Sequence, residues 1–104
     1  MINPAVNGVL FVVTAAQKHG VKRVVITSSV AACSVMHNID CPDTFDESNW
    51  SDLNSAAKNL AYIKSKTLAE KAAWDFIENL PNDEKFELAT INPGLVMGPN
   101  LNEA

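Results

Sequence analysis

The stretch Lys22-Arg23-Val24-Val25-Ile26-Thr27-Ser28-Ser29 governs how the rest of the chain is read. Its centre is a short β-branched run that ends on two serines. An apolar run of this length predicts a buried strand of a parallel sheet over residues 22–27. Upstream, Asn3 can cap a helix and Pro4 suits its first turn. Val6, Leu10, Val13 and Ala16 then recur at helical spacing. Gly20 follows Lys18 and His19 where a left-handed residue closes a helix. Downstream, residues 30–53 read as an irregular connection holding Pro42, Asp43-Thr44-Phe45-Asp46-Glu47 and Trp50. A connection this long inside a compact unit is expected to cover a site. A second helix is expected from Asn54 or Ser55 to about Leu80, stopped by Pro81-Asn82-Asp83. A second strand follows over 86–92 and ends at Pro93-Gly94, with a further turn at Gly98-Pro99. Helix, strand, loop, helix, strand is the order of a parallel sheet with helical crossovers.

Composition narrows the function. Of 104 residues, 47% are hydrophobic and 19% charged, which is globular and far from the signature of disorder. Eight basic against 12 acidic residues give a net charge of -4, which argues against a nucleic-acid binder with its basic stripe. No apolar run approaches the roughly 20 residues of a membrane span, and no secretory signal is visible after Met1. Cys33 and Cys41 lack a C-x-x-C spacing and read as free thiols of a reducing, cytoplasmic setting, with a disulfide between them as the alternative. His19 and His37 have no ligand cluster around them and read as solvated side chains, so no metal site is expected.

The second helix holds the pattern with chemical content. Tyr62, Lys66, Ala69, Ala73, Phe76 and Leu80 step by three or four and share one face. Lys64, Lys71, Asp75 and Glu78 lie elsewhere and read as a solvated side. Lys66 therefore falls on the stripe directed at the sheet, where an unpaired ammonium is costly and is expected to have a partner or a role. A cation one helical turn from a phenol favours the phenolate, so a tyrosine so placed can exchange a proton. The plainer reading is a tyrosine beside a snorkelling lysine. In open parallel sheets ligands bind beyond the carboxyl ends of the strands. Ser28-Ser29 and Pro93-Gly94 mark those ends, so serine, tyrosine and lysine can converge on one cleft. The plainer roles of these residues are a turn or cap and simple strand termination.

Five segments, in this order, resemble the extended short-chain dehydrogenase/reductase family in its dihydroflavonol reductase-like and cinnamoyl-CoA reductase-like branch. They are Pro4-Ala5-Val6-Asn7-Gly8, residues 21–29, residues 45–52, Tyr62-Ile63-Lys64-Ser65-Lys66 with its continuation to Trp74, and Asn92-Pro93-Gly94-Leu95-Val96-Met97-Gly98-Pro99. The resemblance implies an α/β fold, with residues 1–104 the central part of one NAD(P)-binding Rossmann-type domain and its doubly wound parallel sheet. It implies Tyr62 as acid/base, Lys66 as its modulator and ligand of the nicotinamide ribose, and Ser29 as the donor to the substrate carbonyl, with Ser28 as the alternative. Thr27, Ser28, Tyr62, Lys66, Pro93, Gly94, Leu95 and Val96 would contact the cofactor, NADP or alternatively NAD, and residues 30–53 would wall the substrate. The reaction implied is reduction of a small-molecule carbonyl: an aldehyde, a ketone or an acyl thioester.

Two departures stand out. Ala5 occupies a position where many family members carry an asparagine. The glycines, at 8, 20, 94 and 98, form no G-x-x-G-x-x-G phosphate loop, so the isolated chain is expected to be inactive and to be a piece of a larger enzyme. Sugar-nucleotide epimerases and dehydratases of the same superfamily carry an aromatic-Gly pair after the serine and a Pro before the tyrosine, where this chain has Ala32-Cys33 and Ala61. A hydroxysteroid dehydrogenase-like enzyme is another reading. A non-catalytic module that uses exposed sheet edges to bind a partner is the reading from a different class.

Overall fold

The computed structural model describes residues 2–34, 43–54 and 60–102. Helix α1 (Ile2–Lys18) leads into strand β1 (Arg23–Thr27), and a single 3₁₀ turn follows at Val30–Ala32. Helix α2 (Leu60–Glu78) then leads into strand β2 (Glu87–Ile91). Pro4 falls in the first turn of α1, where its missing N–H has no intrahelical partner to lose. The other end closes as the sequence predicts. Gly20 adopts φ 68°, the Val21 N–H donates to the Ala16 carbonyl at 3.0 Å, and the Gly20 N–H donates to Gln17 at 3.2 Å. This double closure satisfies carbonyls that the end of a helix leaves unpaired.

The two strands pair in parallel, from Arg23 opposite Glu87 to Thr27 opposite Ile91. The Arg23 and Glu87 side chains form an exposed ion pair at the start of this ladder. Beyond the strands the pairing continues, with Ser28 N–H donating to Ile91 at 2.7 Å and Val30 N–H to Pro93 at 3.1 Å. The carboxyl ends of both strands are thereby locked side by side.

Both helices cover the same sheet face. Val13 and Ala16 of α1 meet Ala73 of α2 and Phe86, and Val24, Ile26 and Leu88 pack on this cluster from the sheet. Burial of this apolar surface is the main force holding the two layers together. The expectation of a strand buried on both faces is corrected. Only alternate residues are covered, while Val25 and Ile91 are 58% and 57% exposed on the opposite face. No described element packs there, because both crossing helices lie on one side. The order, the parallel pairing and the helical crossover are those of part of a Rossmann-type sheet.

The expected start of the second helix is also revised. Asn54 belongs to a turn outside α2, and the helix is described from Leu60. His37, Cys41 and Pro42, like Ser55 as a possible helix start, lie outside the described residues, so the alternative pairing of Cys33 with Cys41 does too.

Candidate active site

The end of β1 presents two serines in different roles. Ser28 is buried, and its hydroxyl donates to Glu70 at 2.5 Å. Ser29 is half-buried and caps the 3₁₀ turn, its Oγ accepting from the Ala31 N–H at 3.1 Å. That bond uses a lone pair of the Ser29 hydroxyl and leaves its proton available. The proton of Ser28 is committed, so of the two serines Ser29 suits a donor role toward a ligand.

Helix α2 brings in Tyr62 and Lys66, one turn apart. The apolar stripe holds at Ala69, Ala73, Phe76 and Leu80, which reach the core. Tyr62, expected on the same inward stripe, is 44% exposed, although the adjacent Ile63 is buried. Lys66 is half-buried and has no ion-pair partner among the described residues. It lines a cavity of about 170 Å³ together with Ala5, Thr27, Ser28, Ser65 and Glu70. Lys66, the end of β1 and Ser28 thus meet in one small recess whose remaining walls, Val9, Ile26 and Ala69, are apolar, and Ala5 sits at its α1 side. A lysine with no ion-pair partner among the described residues, at a recess that Thr27, Ser28 and Ser65 also line, suits a ligand rich in hydroxyls, such as a ribose.

The β2 end contributes Pro93, half-buried, with its carbonyl held by the Val30 N–H. Gly94, Leu95 and Val96 follow as exposed backbone, with Leu95 86% and Val96 80% exposed. They are not brought against Lys66 within the described residues. The long connection is anchored by Ser51, whose hydroxyl donates to the Ala31 carbonyl at 2.6 Å. The connection borders a second hollow of about 860 Å³, between the 3₁₀ turn, α2 and the end of β2, lined among others by Phe45, Trp50, Trp74 and Asn92. Lys71 lies over the Trp50 ring at 5.0 Å on this side, a cation–π contact that ties the connection to α2.

Glu70 is what reading the sequence missed. It is buried between the two recesses and accepts from Ser28, Thr90, Asn92 and Trp74. A heptad-like stripe search gives one apolar face and passes over a polar residue buried on a second. The available signal was the coincidence of polar residues at both strand ends with a carboxylate four residues after Lys66. The described residues contain no cluster of three metal-ligating side chains. No helix among them is long and apolar enough to cross a membrane.

No family model matches the chain. It is 45% identical over 103 residues to cinnamoyl-CoA reductase 1 of Arabidopsis thaliana, covering 97% of this chain and 28% of that protein. It is 41% identical over 110 residues to an NADPH-dependent methylglyoxal reductase of Saccharomyces cerevisiae, covering 97% and 32%. Among solved structures, yeast methylglyoxal/isovaleraldehyde reductase Gre2 complexed with NADPH superposes with a TM-score of 0.77 at 38% identity, over 98% of this chain and 32% of that one. Gre2 from Candida albicans gives a TM-score of 0.80 at 38% identity, with the same coverage. The chain therefore spans about a third of the length of these relatives.

Proposed function

Since the chain belongs to the extended short-chain dehydrogenase/reductase family, in its dihydroflavonol reductase-like branch, we propose that it carries the proton-transfer machinery of an NADPH-dependent carbonyl reductase. The observation that carries this reading is the placement of Tyr62 and Lys66 one helical turn apart on α2, with Lys66 in a recess at the end of β1. NADPH, when bound, supplies a hydride to the carbonyl carbon. The Ser29 hydroxyl donates to the carbonyl oxygen and holds it as negative charge develops there. The Tyr62 hydroxyl then gives its proton to that oxygen. The Lys66 ammonium stabilises the phenolate left on Tyr62 and donates to ribose hydroxyls.

The preference for NADPH comes from the relatives, two of which bear it in their names. The phosphates are held elsewhere in the full-length enzyme, since these 104 residues contain no G-x-x-G-x-x-G loop. Substrates are small aldehydes, ketones or acyl thioesters, and the setting is cytoplasmic. The test is NADPH oxidation by the full-length protein, followed at 340 nm against a panel of those three carbonyl classes. Carbonyl-dependent oxidation is expected with at least one class. Its absence from all three would overturn the reading.

A further inference from the structure

Glu70 is 9% exposed, and no lysine, arginine or histidine among the described residues pairs with it. A buried carboxylate without a cation is costly unless several donors satisfy it. Here four do. The Ser28 hydroxyl at 2.5 Å and the Asn92 amide at 2.9 Å reach Oε2. The Trp74 indole N–H reaches Oε1 at 3.3 Å, and the Thr90 hydroxyl, also at 3.3 Å, shares its one proton between Oε1 and the Asn92 Oδ1. Bonds to an ionised acceptor are stronger than neutral ones. The donors come from the end of β1, the end of β2 and α2 itself, so one side chain clamps three elements.

The clamp extends to Ser29. Asn92 also donates to the Ser29 carbonyl at 2.9 Å, and its Oδ1, 3.0 Å from the Thr90 hydroxyl, is the nearer acceptor of that shared proton. The Asn92 amide is thereby fixed in orientation, and it ties the Ser29 backbone to Glu70. Glu70 stands four residues after Lys66 and eight after Tyr62 on the same helix. The distance between a helix-borne acid and a strand-borne serine is thus set through this carboxylate.

We propose that Glu70 is a positioning residue that, through Asn92, sets Ser29 relative to Tyr62 for carbonyl reduction. The proposal rests on the reductase reading above. It differs from a merely structural role in what it moves: the orientation of the carbonyl, with cofactor binding and folding left largely intact.

Glu70→Gln offers a sharp test, because an amide nitrogen replaces one oxygen of the clamp. On one side it meets the Trp74 N–H, on the other the Asn92 amide hydrogens. Either way two donors face each other. In the full-length enzyme, kcat/KM for the carbonyl should fall about 10- to 100-fold, the range that displacement of a catalytic group by about 1 Å produces. NADPH affinity should fall by a much smaller factor. Adding Trp74→Phe removes one opposing donor and should restore most of the loss, since the Thr90 hydroxyl can rotate to accept. Asn92→Ala, which cuts the tie to Ser29 but leaves Glu70 three donors, should reproduce the kinetic defect and covers the case of an unfolded Glu70→Gln. Wild-type kcat/KM in both single variants would overturn the proposal. So would a defect that lowers Tm and NADPH affinity in parallel and that Trp74→Phe does not relieve. A wild-type enzyme inactive on every carbonyl class overturns the reductase reading itself, and this proposal with it.

Discussion

Ser28 and Ser29 are adjacent and chemically identical, yet their surroundings separate them. Ser28 is turned inward to Glu70, while Ser29 caps a turn and keeps its proton. Cys33 shows the same dependence on setting. Burial pushes its thiol pKa up, and the nearby Glu70 carboxylate adds to the shift. Folding therefore favours the neutral thiol, whose contribution to stability is present below the unfolded-state pKa and fades as pH rises through the raised value. The thiolate is the reactive form. In a Cys41→Ser background, alkylation of Cys33 by iodoacetamide should be slower at pH 8 than that of free cysteine. Its rate should reach half-maximum at a higher pH. A rate equal to that of free cysteine would show that this environment does not protect the thiol.

At the scale of elements, the end of α1 makes the most local prediction. Gly20 sits at φ 68°, and no atom lies within 4 Å of where a Cβ would stand. In the full-length protein, Gly20→Ala should therefore cost only the backbone penalty of a left-handed residue, about 1 kcal/mol, read as a lowered midpoint in urea. An unchanged midpoint would contradict the closure described for this helix. This turn was legible in the sequence, as were both strands, their parallel pairing and the apolar stripe of α2. Each follows from a local signal: glycine after a basic turn, a β-branched run, spacing by three and four. Three things were not legible. The strand run Val24-Val25-Ile26 is apolar on both faces, so the sequence cannot tell that only one is covered by α1 and α2. The second buried side of α2 holds Ile63, Thr67 and Glu70, and the last two are polar residues that a hydrophobic pattern passes over. The connection 43–54 is held against the 3₁₀ turn by Ser51, a contact between residues 20 apart that no periodicity encodes.

For the molecule as a whole, a two-stranded sheet covered on one face is small for an independent parallel fold. The radius of gyration is 15.5 Å, against about 13 Å for a compact domain of 100 residues. Val25 and Ile91 on the bare face, and Leu95, Val96 and Met97 beyond β2, offer apolar surface that a compact domain would cover. The 104-residue chain on its own should therefore self-associate and melt without a sharp transition, and should not bind NADPH. Sedimentation, thermal unfolding and NADPH fluorescence would check this. A monodisperse monomer with cooperative unfolding would favour an independent module that works through partners.

The central claim, that Tyr62 delivers the proton in a carbonyl reduction, is tested most directly by Tyr62→Phe in the full-length enzyme. This change removes one hydroxyl from an already exposed side chain, so the fold should hold. Turnover should fall by about 10²- to 10⁴-fold, the worth of a positioned general acid, with NADPH binding largely intact. Near-wild-type turnover by the Tyr62→Phe enzyme would contradict the account.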